Sequence, residues 1–265
     1  MRYPKGSLQL NQSRDLPLLR QILHSEFVTH SQLFDFMRLN HYERSRKSFD
    51  WRLRRLVDCD LVCRQTKPGC TGEFVYSLTG AAAMLLQGMG EYCLVGRGRF
   101  NGKEAERSVL HAIELNEIHL SALKGGVLVR WISSMEIRSQ NELTRFGFTK
   151  DYDAVVTVQS KTDEQRFALE YERSAKPMRY YRNVADALGR DPNVGHVLYL
   201  VANYDLLRFI SDFFRTSQCR VFCGLVKDWH GQLLDMPVSS NSATCCLRLR
   251  DVLNGALANV ETTAI

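Results

Sequence analysis

Three carboxylates with the spacing of paired strands are the residues of this chain best suited to chemistry. The stretch YDAVVTVQSKTDEQRFALEYE begins at Tyr152, and its two apolar runs flank a polar connection. That pattern predicts a β-hairpin, with Asp153 at the start of the first strand and Glu170 and Glu172 near the end of the second. Residues two apart share one face of a strand, so the hairpin would bring the three carboxylates together.

A cation is expected among these carboxylates, because burying unpaired charge in apolar surroundings is costly. A hard divalent ion, Mg²⁺ or Mn²⁺, prefers oxygen ligands and retains some of its waters. We therefore take Asp153, Glu170 and Glu172 as candidate metal ligands and catalytic residues. The alternative is that they are solvated carboxylates at strand ends, which is a common arrangement without function.

The chain has 265 residues, a length that fits one large domain or two small ones, and 45% of them are apolar. The net charge of +6 favours a polyanionic partner. No apolar run approaches a membrane span and no signal segment is evident, so we expect a cytoplasmic protein without a membrane partner. A zinc site at Cys59, Cys63 and Cys70 is the weaker interpretation of the eight cysteines, which we expect to be reduced, buried thiols.

The first 98 residues are predicted to form a separate domain of helices followed by a strand pair. Helices are predicted at 15–27, 32–39, 49–56 and 81–87, and strands at 61–65 and 73–78. This order, with the ending LTG at 78–80, resembles a winged helix-turn-helix. The resemblance implies DNA binding, with the third helix in the major groove. A protein-docking module with solvated arginines is the alternative.

The basic residues of this region are the candidate DNA contacts. They are Arg44, Arg46, Lys47, Arg52, Arg54 and Arg55 around the third helix and Lys67 in the wing. A glycine-rich, basic stretch at 96–102 is interpreted as a linker.

Residues 103–265 are predicted to alternate helix and strand around a mixed sheet, so the fold class is α+β. Helices are predicted at 103–123, 176–188, 204–215 and 247–258, and strands at 127–132, 195–202 and 220–226, in addition to the hairpin. The strand at 195–202 is apolar on both faces and is expected to be central. Residues 133–150 are interpreted as a polar excursion, and 227–265 are weakly patterned.

The hairpin resembles the (P)D…(D/E)-x-K motif of restriction-endonuclease-like nucleases, which implies a restriction-endonuclease-like sheet for the second domain. Two positions depart from that motif. Tyr152 stands where the proline is usual, and Glu172 stands where the lysine is usual. The second departure leaves the identity of the general base open.

The order of predicted helices, strands and motifs along the chain is similar to that of the replication-relaxation family. It is close to the order in the MobC-type relaxases of mobilisable plasmids. The motifs that carry this resemblance are His111 with Asn116, Trp131 followed after four residues by Glu136, and LEYER at 169–173. It implies metal-dependent nicking of double-stranded DNA at a plasmid or mobile-element origin of transfer or replication.

The resemblance also implies roles for individual residues. Asp153 and Glu170 would bind the metal, and Glu172 would ligate it or position the water. Glu136 and His111 would be accessory catalytic residues. Beyond the hairpin, Arg173, Lys176 and Arg179 would hold a phosphate or be solvated at a helix start.

Two functions remain open at this point. One is the nicking enzyme, and the other is a DNA-binding regulator or replication accessory protein whose nuclease-like domain is inactive. Whether the chain forms a homodimer or a complex with other mobilisation proteins is also open.

Overall fold

The computed structural model describes residues 9–66, 72–91, 103–144, 147–160, 163–188, 191–215, 220–240 and 243–254. Within these ranges the protein is an α+β fold with a small sheet and a large mixed sheet. The chain divides into two compact units, Met1–Leu120 and Ser121–Ile265. No helix in these ranges is both long and apolar enough to cross a membrane.

The first unit contains helices followed by a strand pair, in the predicted order. Its elements are α1 Asp15–Ser25, β1 Val28–Thr29, α2 His30–Leu39, α3 Arg46–Asp58, β2 Val62–Thr66, β3 Phe74–Leu78 and α4 Gly80–Gly88, followed by α5 Lys103–Lys124. The three strands are antiparallel in the order β1-β3-β2. The short β1 was not predicted. The boundary between the units falls inside α5, so most of this helix belongs to the first unit and not to the second.

Local capping explains where the helices of the first unit begin. The Thr29 hydroxyl accepts a hydrogen bond from the Gln32 N–H at 3.3 Å, and the Gln32 side chain accepts one from the Thr29 N–H at 3.2 Å. This capping box starts α2. The Thr79 hydroxyl caps α4 in the same position, accepting from the Ala82 N–H.

The second unit is built on a seven-stranded sheet. Its elements are β4 Leu128–Ser133, α6 Ser134–Leu143, β5 Ala154–Gln159, β6 Glu164–Glu172, α7 Met178–Leu188, β7 Val197–Val201, α8 Tyr204–Phe214, β8 Val221–Leu225, α9 Val226–Gln232, a 3-10 turn Leu233–Asp235, β9 Pro237–Ser240, β10 Ala243–Arg248 and α10 Leu249–Leu253. The strand order is β10-β9-β8-β7-β6-β5-β4. Strands β6, β7 and β8 run parallel, and the other pairs are antiparallel.

The central part of this sheet is buried on both faces, which explains its uninterrupted apolar strands. Every residue of β7 and β8 is buried, and β7 is the middle strand, as predicted. Helices α7 and α8 contribute Tyr181, Val184, Ile210 and Phe214 to the same apolar cluster. The predicted hairpin is present as β5 and β6, which pair from Ala154–Leu169 to Gln159–Glu164.

Two parts of the second unit differ from the prediction. Residues 134–143, interpreted as a polar excursion, form α6, which begins at a capping box between Ser133 and Glu136. The serine and glutamate three apart were the signal for this helix start. The weakly patterned segment after β8 contains α9, β9 and β10. Strand β9 is only four residues, and its pairing with β8 depends on contacts distant in sequence that a local pattern does not carry.

Candidate functional site

The hairpin places the three predicted carboxylates at one end of the sheet. Ala154 pairs with Leu169, so Asp153 lies opposite Glu170. Glu170 and Glu172 share one strand face and are 1% and 2% exposed. The Asp153 carboxylate accepts a hydrogen bond from the Tyr171 N–H at 2.8 Å. Two charged side chains are therefore held almost entirely out of water at the end of β6.

Two lysines pair with these glutamates. The Lys150 ammonium donates to Glu170, and the Lys176 ammonium lies 2.7 Å from Glu172 Oε1. Both ammonium groups also lie near the Tyr180 ring, with Nζ 5.8 Å from its centroid for Lys150 and 4.2 Å for Lys176. We name the set Lys150, Asp153, Glu170, Glu172 and Lys176 the carboxylate–lysine cluster. Lys150 was not predicted, and Lys176 was predicted as a phosphate contact.

The charges of the cluster determine how readily Glu170 takes up a proton. Burial raises the pKa of Glu170 to about 7; the Lys150 ammonium opposes the rise, and Asp153 adds to it. For Lys150 burial acts to lower the pKa, but the Glu170 carboxylate outweighs burial and the pKa is raised. Glu170 therefore exchanges a proton near neutral pH, whereas Lys150 keeps its charge.

The carboxylates of the cluster already have partners in the structure. Among the residues with described coordinates, no group of three Asp, Glu, His or Cys side chains has the placement of metal ligands. Glu170 and Glu172 each already have an ammonium partner, and Asp153 is engaged by a backbone N–H. A divalent ion at these carboxylates would require Lys150 and Lys176 to leave their partners.

The cysteines were expected to be buried thiols, and only part of that prediction falls within the described ranges. Cys59 is exposed, which corrects the expectation that it is a buried thiol. Cys63 is half-buried, and Cys70 lies in a segment that is not described. Cys223 is buried, as expected of a small hydrophobe, and burial raises the pKa of its thiol to about 12.

Two residues were predicted as accessory catalytic groups, and the structure gives one of them a local role. The Glu136 carboxylate accepts a hydrogen bond from the Ser133 N–H at 3.3 Å, and this contact completes the capping box of α6. Its acidic side chain is thus explained by the helix start. His111 lies on the part of α5 that belongs to the first unit. On the same helix, the Asn116 side chain donates to the Phe27 carbonyl oxygen at 2.8 Å.

The Tyr199 hydroxyl is buried near the cluster. Tyr199 pairs with Glu170 across β7 and β6 and is 0% exposed. Its hydroxyl has no hydrogen-bond partner in the part of the chain that the structure describes. Burial raises the pKa of Tyr199 well above its usual value, and the Glu170 carboxylate adds to this. The hydroxyl is therefore protonated, and its desolvation is not offset by a partner.

Tyr199→Phe is therefore expected to leave the free energy of unfolding unchanged or to raise it by up to about 1 kcal/mol. The matched control is Tyr181→Phe. Tyr181 is equally buried, but its hydroxyl accepts from the Lys176 N–H at 3.1 Å, so its loss should destabilise by about 1 kcal/mol. Urea denaturation of both variants measures the difference. A Tyr199→Phe variant destabilised as much as the control would contradict the assignment.

The basic residues of α3 divide into two groups, and the first is buried. Arg52 is 6% exposed, with its Nε 2.6 Å from Glu43 Oε1 and its Nη1 2.8 Å from Asp15 Oδ1. Arg55 also pairs with Asp15, whose side chain is 0% exposed. The prediction that Arg52 faces DNA is therefore wrong, because buried carboxylates occupy its donors. Arg55 is mostly committed to the same network.

The second group lies on the surface. Arg44, Arg46, Lys47 and Arg54 are exposed, as is Trp51 between the last two. Lys47, Trp51 and Arg54 are spaced i, i+4 and i+7, so they form one line along the helix. We name these three residues the α3 stripe. Arg46 is partly engaged, with Nη2 2.6 Å from His30 Nδ1 and its guanidinium 4.9 Å from the centre of the Phe34 ring.

The remaining predicted DNA contacts lie after β6 and in the wing. Arg173 and Arg179 are exposed, whereas Lys176 is committed to Glu172. Lys67 lies outside the described residues.

No family model, curated protein or solved structure matches this chain. The resemblance to the replication-relaxation family accordingly depends on the motifs given above.

Proposed function

We propose that this chain binds double-stranded DNA by placing the α3 stripe in the major groove. The single observation that carries the proposal is the exposure of Lys47, Trp51 and Arg54 on one line of α3, while Arg52 and Arg55 are engaged by buried carboxylates. The order of α1, β1, α2, α3, β2 and β3 supports docking as a winged helix-turn-helix, in which the third helix enters the groove.

The charges along α3 indicate which half of the helix approaches the phosphates. Arg44, Arg46 and Lys47 lie at its start, whereas exposed Asp58 and Asp60 lie at its end and just after it. Lysine and arginine displace counterions from the DNA backbone, and carboxylates are repelled by it. The N-terminal end of α3 is thus expected to lie closest to the phosphates, and the α3 stripe extends from there as far as Arg54.

The double variant Lys47→Ala and Arg54→Ala is expected to weaken duplex binding about tenfold or more at moderate salt. Each lost phosphate contact should also lower the slope of log K against log salt by about 0.9. Fluorescence anisotropy over a salt series measures both quantities. Arg215→Ala, which removes one exposed charge from the second unit, is the control for bulk charge. An unchanged affinity and salt slope in the double variant would contradict the docking.

A second function, cleavage of one DNA strand, is favoured by the carboxylate–lysine cluster. Perturbed pKa values concentrate at functional sites. Glu170, with its pKa near 7, is suited to take the proton of an attacking water. Hydrolysis would join the water oxygen to phosphorus and break one phosphorus–oxygen bond, and the leaving oxygen would take a proton. Each lysine ammonium has three donors, so Lys150 and Lys176 would contact the phosphate oxygens with donors that Glu170 and Glu172 do not occupy.

The resemblance to the replication-relaxation family places such cleavage at a plasmid or mobile-element origin. The test is incubation with supercoiled plasmid, with and without an origin region, in Mg²⁺, in Mn²⁺ and in EDTA. Open circles made by the wild type would support the enzyme, and the EDTA arm would show whether a divalent ion is required. Specific DNA binding without open circles under any condition would favour a regulator or replication accessory protein.

A further inference from the structure

Trp51 is a large apolar side chain in a position that stability does not explain. It is 52% exposed and lies on the outward side of α3, between Lys47 and Arg54. The inward side of the helix is occupied by Phe49, Leu53 and Leu56, which are almost completely buried. A half-exposed tryptophan flanked by cations is typical of a contact surface, because tryptophan and arginine dominate binding energies.

The indole has a defined contact on the face of its ring. The Arg55 guanidinium lies over the Trp51 ring, 5.4 Å from its centroid. Arg55 is itself anchored by its ion pair with Asp15, whose side chain is fully buried. Ordering the side chain before binding lowers the entropy lost in the complex. Trp51 is therefore presented by the buried network that also holds α3.

The charges around Trp51 indicate the class of partner. Four exposed cations, Arg44, Arg46, Lys47 and Arg54, lie on α3 or directly before it. A second copy of this chain meeting the same surface by two-fold symmetry would bring like charges together. A polyanion instead gains from every one of these cations, so DNA is the partner that fits the surface.

We propose that Trp51 recognises the C5-methyl group of a thymine in the major groove. The methyl group of thymine is the apolar feature of the major-groove code, and apolar side chains contact it there. Lys47 and Arg54, one helical turn to either side, would contact phosphates or base acceptors and set the register of the helix. This inference rests on the proposed DNA binding and adds a base preference to it.

The test begins with selection of preferred duplexes from a random library by the full-length wild type. Each thymine of the selected site is then replaced singly by deoxyuracil, which lacks only the methyl group. At one position the replacement should weaken wild-type binding about fourfold, the effect of one buried methyl-sized group. Trp51→Ala should bind the thymine duplex more weakly and show no difference between the two bases. Trp51→Phe should retain part of the discrimination.

Four outcomes distinguish the inference from the function on which it rests. The methyl contact is overturned if no deoxyuracil replacement changes the affinity of the wild type. It is also overturned if Trp51→Ala still binds the thymine duplex more tightly than the deoxyuracil duplex. A wild-type dimer that Trp51→Ala converts to a monomer, measured by light scattering, would assign the surface to protein association and overturn the inference. The absence of any duplex binding by the wild type would overturn both this inference and the proposed function. Thermal melting of both variants confirms that they are folded.

Discussion

Arg52→Ala is expected to lower the free energy of unfolding by about 3 to 5 kcal/mol. Arg52 is the central member of a buried network, paired with Asp15 on α1 and Glu43 before α3. Both carboxylates are almost fully buried, with side chains 0% and 2% exposed. Removing the guanidinium leaves Glu43 without this partner and Asp15 paired with Arg55 only, and both carboxylates stay out of water. The loss is large against the roughly 5 to 15 kcal/mol that stabilise a typical domain, about a fifth of it or more.

Because Asp15, Glu43 and Arg52 all lie in the first unit, the loss of stability can be assigned to that unit. Urea denaturation of the whole chain measures the stability, and hydrogen exchange of the α1 and α3 amides shows whether the loss lies in the first unit. Arg54→Ala is the matched control, because Arg54 is on the same helix but exposed, and it should change stability by less than about 0.5 kcal/mol. Equal stability of the two variants would contradict the role assigned to Arg52.

Glu170→Gln is expected to reduce strand cleavage by about 100-fold or more, the usual contribution of a general base. Glutamine keeps the size of the side chain and its capacity to accept from Lys150, but it cannot take a proton from water. In the wild type, cleavage should rise as the pH increases towards about 7 and then level off, because Glu170 acts as a base only when ionised. The glutamine variant should lack this rise.

The control for this prediction comes from the same strand. Glu164, at the exposed start of β6, lies far along the strand from the cluster, so Glu164→Gln should leave cleavage unchanged. The measurement is the rate of open-circle formation from supercoiled plasmid between pH 5.5 and 8.5, a range spanning about 1.5 units on each side of neutrality. Full activity of Glu170→Gln with wild-type pH dependence would remove Glu170 from the mechanism.

Local patterns in the sequence predicted most of the helices and strands and the position of the carboxylates. Alternating and continuous apolar runs predicted the hairpin and the central strand β7, because strand periodicity and burial are local properties of the chain. The same periodicity placed Asp153, Glu170 and Glu172 at one end of the hairpin. Helix α6 was not predicted, because its ten mostly polar residues were interpreted as a loop. The spacing of Ser133 and Glu136 nevertheless indicated a helix start with a capping box.

The partners of the charged residues were decided only by the tertiary structure. Lys150 precedes Glu170 by 20 positions, and Arg52 follows Asp15 by 37. Helical spacing placed Arg52 among the polar residues of α3, yet it is buried because two carboxylates from elsewhere in the chain meet it there. Periodicity distinguishes apolar from polar positions, but it does not distinguish a buried, paired charge from a solvated one. That distinction depends on which distant side chains the folded chain brings together, and here it separates the buried Arg52 from the exposed Arg54.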